Sequence, residues 1–264
     1  MFVTILKRNF MVKFLLIFLL IITSAFADKS KEFRYRKYVH VKKFYKSIAQ
    51  DALELGSKYN IPPAAILAIA GVESGYGRGY VAKISGNILS LGTGKGEYEL
   101  PPLYLPYVKK TNETIFLPQE ISKYKKDSLV WKKRPKSLKK DYRDSSVAGT
   151  DKNLDFFHKY PDKYTKAKRA CLKDFASKWI SKKSNIPVFR ASKVWLEKEI
   201  LENGKDILFT ASFNKNFIDS IGGKKRSFNY RKTWPIKVKA VMKNAGLVEL
   251  MRDMKNQKSF DESW

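Results

Sequence analysis

Apolar residues recur at helical spacing over most of this chain. Between residues 41 and 55 they lie three or four positions apart, which predicts an amphipathic helix that ends near Gly56. A second helix is predicted to begin near Pro62, because proline is tolerated in a first helical turn and disfavours helix in the residue before it. Apolar side chains and alanines surround this second segment almost completely up to Val72, so we expect it to be buried on most sides.

The last strongly polar side chain of this apolar helix is Glu73, and glycines follow at positions 75, 77 and 79. A carboxyl group held against apolar walls has a raised pKa, so it can keep a proton at neutral pH and act as a general acid. The glycines permit unusual backbone conformations and let a polymer approach the main chain closely. A glutamate before a glycine-rich stop is also an ordinary solvated helix end. The pattern alone leaves both interpretations open.

Beyond Gly92 the helical pattern gives way to short pieces between glycines and prolines. Residues 92–120 predict loops with one irregular hairpin, whose short apolar pieces cover residues 104–108 and 114–117. Residues 123–143 hold ten Lys or Arg, which indicates either a solvated connecting face or a dedicated polyanion patch. Helical spacing returns after Ser145, with predicted segments over 154–179 on either side of a break at Pro161, over 194–201 and 207–221, and a last helix from Pro235 through Leu250.

The first 27 residues have the pattern of a signal peptide. Three basic residues precede an apolar run over residues 14–22, and Ala25 and Ala27 supply the small side chains of a cleavage site. The mainly apolar segment 14–27 is shorter than the roughly 20 residues that a spanning helix needs. We therefore predict a cleaved leader and a periplasmic or secreted protein, with an uncleaved membrane anchor as the alternative. The rest divides into a basic N-terminal arm (28–40), one domain (41–255) and a C-terminal tail (256–264).

The charge is strongly positive, with 53 Lys plus Arg against 25 Asp plus Glu. Without the leader, 50 basic residues face 25 acidic ones, and this excess favours an anionic partner such as a cell-wall polymer, anionic lipid or extracellular nucleic acid. The single cysteine, Cys171, excludes an intrachain disulfide and lies at helical spacing from Phe175 and Trp179, which predicts a core thiol. Because only two histidines, His40 and His158, accompany it, we predict no metal site and no cofactor, which leaves carboxylate chemistry.

Three short motifs occur in order near Glu73. They are Asn-Ile-Pro-Pro at 60–63, Ala-Ile-Ala-Gly-Val-Glu-Ser-Gly-Tyr-Gly at 68–77 and Gly-Asn-Ile-Leu-Ser at 86–90. In order and spacing they resemble the glucosaminidase domain of glycoside hydrolase family 73, including its Bax-like branch. About 35 residues carry this match. A weaker similarity at Ser145-Ser146, at Tyr164 and in the last helix extends it over residues 41–250, with a divergent middle.

The resemblance implies a mainly α, lysozyme-like (α+β) fold that cuts the glycan strands of peptidoglycan after N-acetylglucosamine. By the same resemblance Glu73 is the general acid and Tyr164 helps to hold the sugar or the intermediate. Ser74, Tyr76 and Asn87 would bind substrate and shape the cleft. The implied partner is the peptidoglycan glycan strand, with no nucleic acid and with membrane contact only through the leader.

The second catalytic carboxylate of this family lies on a β-hairpin, and the corresponding region of this chain does not match. Glu113 has the most plausible separation, with Glu97 behind it. If neither serves, the 2-acetamido group of the substrate could act as the nucleophile. Three rival functions also stay open: a lytic transglycosylase, a non-catalytic peptidoglycan-binding or scaffold protein of the same fold, and an exported nucleic-acid binder.

Overall fold

The computed structural model of the protein describes residues 32–264 and shows a mainly helical chain with one small antiparallel sheet. The predicted leader, residues 1–27, lies outside the described residues. The first four helices are α1 (Val39–Lys46), α2 (Ala49–Tyr59), α3 (Pro63–Ser74) and α4 (Tyr80–Ser85). The later ones are α5 (Pro118–Ile121), α6 (Phe156–Lys159), α7 (Pro161–Asp174), α8 (Pro187–Asn203), α9 (Ala211–Ile221), α10 (Thr233–Asn244), α11 (Leu247–Lys255) and α12 (Phe260–Ser263).

Helix α3 is the centre of the fold. Every residue from Pro63 to Gly71 is buried, as expected for a helix that is apolar on all sides. Helices α2, α9, α10 and α11 pack around it, and α10 makes the most extensive contact. The helix ends where Gly75 adopts a left-handed conformation, with φ of 55°. This stop leaves Glu73 in the final turn, at the edge of the core.

Two of the predicted helices are each divided in two. The segment predicted as one helix over residues 41–55 breaks at Ser47 and Ile48, where the Ser47 hydroxyl donates to the Phe44 carbonyl and Ile48 leaves the helical region with φ of −138°. The last predicted helix breaks at Gly246, with φ of 60°. Apolar spacing does not reveal either break, because the helices on both sides bury their apolar faces in the same core.

The sheet is a hairpin of β1 (Tyr104–Val108) and β2 (Leu129–Lys133), with Val108 opposite Leu129. The piece at 104–108 does form one side of a hairpin, but its partner comes from the basic stretch 123–143 and not from 114–117 as predicted. Segment 114–117 forms no strand with β1; it pairs through an isolated bridge between Tyr107 and Thr114, and Ile115 shares an apolar cluster with Val108. Leu105 and Tyr107 pack into a small second core. The irregular lobe therefore has apolar packing of its own.

The described part of the predicted arm, residues 32–40, and the predicted tail both pack on the helical body. Arg36 is buried and its guanidinium donates to the carbonyls of Ala245, Gly246 and Ser263 at 3.0, 2.9 and 2.8 Å. A guanidinium suits this position because it supplies several donors to the main-chain carbonyls that converge at these helix ends. In the predicted tail, Ser259 and Glu262 form a capping box that begins α12. Residues 33–38 and 256–264 thus belong to the folded domain.

Candidate functional site

Glu73 is half-buried at the end of α3, and its carboxyl group is held by a residue from the other end of the chain. The indole Nε1 of Trp234 donates to Glu73 Oε1 at 2.7 Å. Trp234 is buried at the start of α10 and packs on Phe228, with ring centroids 5.3 Å apart. Gly222 lies so close that an added Cβ would overlap the indole at 2.2 Å. Packing on both sides therefore fixes the donor that Glu73 contacts.

Burial raises the pKa of Glu73, and this effect outweighs the opposing Trp234 hydrogen bond and the positive charge of Lys139. Burial likewise lowers the pKa of Lys139, whose ammonium donates to the Ser90 carbonyl. Within residues 32–264 the carboxyl group of Glu73 makes no other hydrogen bond than the one at Oε1. The second oxygen, Oε2, can therefore carry a proton, while Trp234 and Lys139 stabilise the carboxylate once that proton has left.

The turn that contains Ser90 is organised from inside by Asn87. The Asn87 amide donates to the carbonyls of Leu91 and Lys140 at 2.8 and 3.0 Å, and the Leu91 N–H donates to its oxygen at 2.8 Å. Asn87 is only 1% exposed. The resemblance implied that this side chain binds substrate, whereas the structure places it beneath the turn, where it joins the Ser90 turn to the strand segment that carries Lys139.

Ser74 and Tyr76 also shape the site from within. The buried Ser74 hydroxyl donates to the Ala70 carbonyl at 2.6 Å and accepts from the Gly77 N–H at 2.8 Å, so it closes the turn after α3. Tyr76 adopts a left-handed conformation with φ of 58°, and its ring points into an aromatic cluster. The cluster consists of Tyr35, His40, Phe44 and Tyr45. Burial is also the main reason that the pKa of Tyr76 rises to about 12.

Two adjoining cavities surround the turn after α3. The Gly75 cavity, of about 490 Å³, is lined by residues 75, 78–80, 83, 113–114, 116 and 134. The Tyr164 cavity, of about 280 Å³, is lined by residues 77, 83, 116–117, 120, 154, 157–158 and 164. They share Lys83 and Phe116 and are therefore adjacent, and we refer to the two cavities together as the groove. Glu73 is not among the lining residues of either cavity, and the groove begins two residues beyond it, at Gly75.

Each of the two cavities is lined by one of the predicted catalytic residues. Glu113 lies on the exposed turn after β1 and lines the Gly75 cavity. Tyr164, on α7, lines the Tyr164 cavity, and its hydroxyl lies 3.9 Å from the position that a Cβ of Gly77 would take. Burial raises the pKa of Tyr164 to about 12, so its hydroxyl stays protonated at neutral pH.

Glu97 lies elsewhere, in a third cavity of about 480 Å³ that Trp179 also lines. Its carboxylate bonds the ammonium groups of Lys140 at 2.5 Å and Lys178 at 3.2 Å. Burial acts to raise the pKa of Glu97, but the hydrogen bonds from Lys140, the Gly94 N–H and Lys178 lower it overall. Glu97 is thus a paired carboxylate in a structural network.

Trp234 and Lys139 were missed by sequence reasoning. Trp234 stands directly before Pro235, where the sequence predicts the last helix to begin, and a tryptophan at the entry of a predicted helix is a weak signal of a packing position. Lys139 is one of ten basic residues in the stretch 123–143, so nothing in the pattern distinguishes it. Cys171, in contrast, is fully buried, which confirms the predicted core thiol.

Comparisons of the chain with protein-family models, curated proteins and solved structures found no match. Within residues 32–264 no helix combines the length and the apolar character needed to cross a bilayer. The same part of the chain holds no group of three or more His, Cys, Asp or Glu side chains that could bind a metal ion.

Proposed function

We propose that the protein is an exported peptidoglycan hydrolase, an endo-β-N-acetylglucosaminidase with a lysozyme-like fold in which Glu73 is the general acid. One observation carries the proposal: Glu73 ends a buried helix beside a groove, with its pKa raised by burial and with one carboxyl oxygen fixed by Trp234. The substrate class comes from the resemblance of the motifs at 60–63, 68–77 and 86–90 to glycoside hydrolase family 73. Export follows from the leader predicted over residues 1–27.

In this mechanism Glu73 donates a proton from Oε2 to the glycosidic oxygen as the bond to the anomeric carbon breaks. The negative charge left on Glu73 is stabilised by the indole N–H of Trp234 and by the ammonium of Lys139. Neither group has to move when the charge appears, since packing and the Ser90 carbonyl already hold them. A water molecule then completes the hydrolysis, with the Glu73 carboxylate as the general base.

A second group must stabilise the positive charge that develops at the anomeric carbon or attack that carbon as a nucleophile. Glu97 is held in ion pairs with Lys140 and Lys178 and lies in another cavity. Glu113 lines the groove but sits on an exposed turn that it shares with basic residues. The 2-acetamido group of the substrate is the remaining candidate, and it would leave Glu73 as the only essential carboxyl group of the protein.

The test is digestion of purified sacculi by the wild-type protein and by Glu73→Gln. Removing a general acid costs about 10² to 10⁴ in rate, so the variant should release almost no new reducing ends, with an unchanged circular dichroism spectrum. Glu202→Gln, an exposed residue on α8, is the matched control and should keep full activity. Full activity of Glu73→Gln would contradict the assignment of Glu73 as the general acid.

Mass spectrometry of the products separates the rival functions. Reducing N-acetylglucosamine ends are expected of the proposed hydrolase. Anhydromuramyl ends, which are lighter by one water, would indicate a lytic transglycosylase instead. Binding to sacculi with no soluble product from the wild-type protein would indicate a scaffold.

A further inference from the structure

The Gly75 cavity carries more positive charge than the proposed acid chemistry requires. Arg78, Lys83 and Arg134 all line it, and Glu113 is the acidic residue among its lining residues. Within residues 32–264 none of the three cations forms an ion pair with a carboxylate. Arg78 instead donates to the Gly75 carbonyl, and Arg134 donates to the Thr114 hydroxyl, both at a long 3.4 Å. The cavity therefore has cationic groups whose bonding capacity is largely unused.

Arg134 is held in place without being neutralised. Its guanidinium lies over the rings of Tyr80 and Tyr107, at 4.6 and 5.2 Å from their centroids. The Arg134 Nε is buried and has no hydrogen-bond partner within the described residues. Because the buried Nε is closed to solvent, the donors that can meet an anion are the terminal Nη groups, of which Nη2 makes only the 3.4 Å contact with Thr114. The N–H groups of a guanidinium match the two oxygens of a carboxylate. Aromatic packing has thus pre-positioned a donor set for an anion.

The rest of the cavity suits a sugar. The rings of Tyr80 and Phe116 are almost parallel, with an interplanar angle of 2° and centroids 6.5 Å apart, and Lys83 lies 5.0 Å from the Phe116 centroid. Gly75 presents open backbone, because an added Cβ would meet no atom within 4 Å. A glycan can therefore approach the main chain there while its substituents reach the three cations.

We propose that the Gly75 cavity is a subsite for a carboxylate carried by the glycan strand, with Arg134 as its anchor and Arg78 and Lys83 at its rim. The inference rests on the proposed function for the kind of polymer, and it adds selection for acidic strands over neutral ones. Two sources offer the same chemistry: the lactyl carboxylate of a muramic acid without peptide, and the carboxylates of the peptide on a substituted strand.

The test is equilibrium binding of soluble glycan fragments to the full chain carrying Glu73→Gln, which does not consume them. Four fragments are compared by calorimetry: peptide-free muramyl oligosaccharide, the same oligosaccharide with its carboxylates amidated, a peptide-substituted fragment and a chitin oligosaccharide. We expect the carboxylated fragments to bind at least tenfold more tightly than the amidated and the chitin fragments. The tighter of the two carboxylated fragments identifies the source of the anion.

Three further substitutions in the Glu73→Gln background locate the effect. Arg134→Gln should abolish the preference for carboxylated fragments, and Arg78→Gln, at an exposed position that leaves the packing intact, should reduce it. Lys133→Gln removes the same charge from the neighbouring exposed residue of β2 and should leave the preference unchanged.

Equal binding of amidated and carboxylated fragments, or a preference that survives both arginine substitutions, would overturn the subsite. Absence of binding to any fragment would overturn it as well. These outcomes are distinct from failure of the proposed function, which shows in the wild-type protein as a lack of released reducing ends. A preference for carboxylated fragments without any cleavage by the wild-type protein would support the subsite and contradict the proposed hydrolase function.

Discussion

The indole nitrogen of Trp234 and the carboxyl oxygen Oε1 of Glu73 lie 2.7 Å apart, although 161 positions separate the two residues in the chain. A donor at Oε1 leaves Oε2 as the position for an exchangeable proton, because an oxygen that accepts from an N–H is the poorer place for an O–H. The hydrogen bond also stabilises the charged form of Glu73. Trp234 thus both orients the proposed acid and limits how far burial raises its pKa.

Replacing Trp234 by phenylalanine should shift the pH profile of the reaction upward. The substitution removes the hydrogen bond that lowers the pKa of Glu73, while burial continues to raise that pKa. A general acid is active in its protonated form, so the alkaline limb of kcat/KM should move to higher pH. The maximum rate should fall, since the carboxylate product loses its donor. Trp131→Phe on the exposed hairpin is the control, and an alkaline limb that stays in place or moves to lower pH would contradict the role of Trp234.

Replacing Glu113 by glutamine should lower kcat less than tenfold. Glu113 lies on an exposed turn and lines a cavity with three cations, a position that fits a surface carboxylate better than a nucleophile. Loss of its charge should also lower KM for carboxylated glycan, because one repulsive group leaves the Gly75 cavity. Steady-state kinetics on soluble peptidoglycan fragments measure both quantities. A loss of a hundredfold or more in kcat would instead make Glu113 the second catalytic carboxylate.

Replacing Asn87 by alanine should destabilise the protein by about 2 to 3 kcal/mol, because the buried Leu91 N–H loses its acceptor. Urea denaturation measures this change in the free energy of unfolding. Asn185→Ala, at an exposed position, should change it by less than about 0.5 kcal/mol. If Asn87→Ala were as stable as the wild type and only weakened glycan binding, the side chain would act on substrate directly.

Lys168 should make the stability of the domain depend on pH. Burial lowers its pKa to about 8 from the usual 10.5, despite the opposing charge of Asp51, and its ammonium donates to the Ser47 hydroxyl at 2.8 Å. A lowered pKa means that the folded state releases this proton before the unfolded state does. The charged form therefore costs stability, up to about 3 kcal/mol, below pH 8, and that cost disappears as the pH rises from 8 to 10.5.

Lys168→Met isolates this effect. Between pH 7 and pH 10 the free energy of unfolding of the wild type should rise by about 2 kcal/mol relative to that of the variant, because only the wild type loses a buried charge over this range. Lys166→Met, at an exposed position on the same helix, should show no such trend. A difference between Lys168→Met and the wild type that is independent of pH would show that Lys168 titrates normally.

The features of this protein that could be predicted from its sequence are those that depend on residues close together in the chain. The apolar surround of residues 63–72 and the glycine at 75 determined that a helix would be buried and would stop just after Glu73, and both features depend on neighbours within one or two turns. The same local logic predicted the mainly helical composition, the strand at 104–108 and the core position of Cys171. The predicted start near Pro62 and the stop at Gly75 held, whereas α2 continues through its predicted end at Gly56 to Tyr59. At Ser47 and Ile48 a side-chain hydrogen bond and one backbone angle broke the helix without changing the apolar pattern.

The tertiary structure decided what surrounds Glu73 and which segments pair. Trp234 and Lys139 come from distant parts of the chain, and the packing of α10 on α3 and the turn held by Asn87 bring them to the carboxyl group. Strand β2 pairs with β1 although it ends in exposed lysines, and Val108 and Leu129 meet in an apolar cluster that also holds Ile115. Residue spacing determines which face of an element is apolar. The residues that this face meets, and the pKa that results, depend on long-range packing that spacing does not encode.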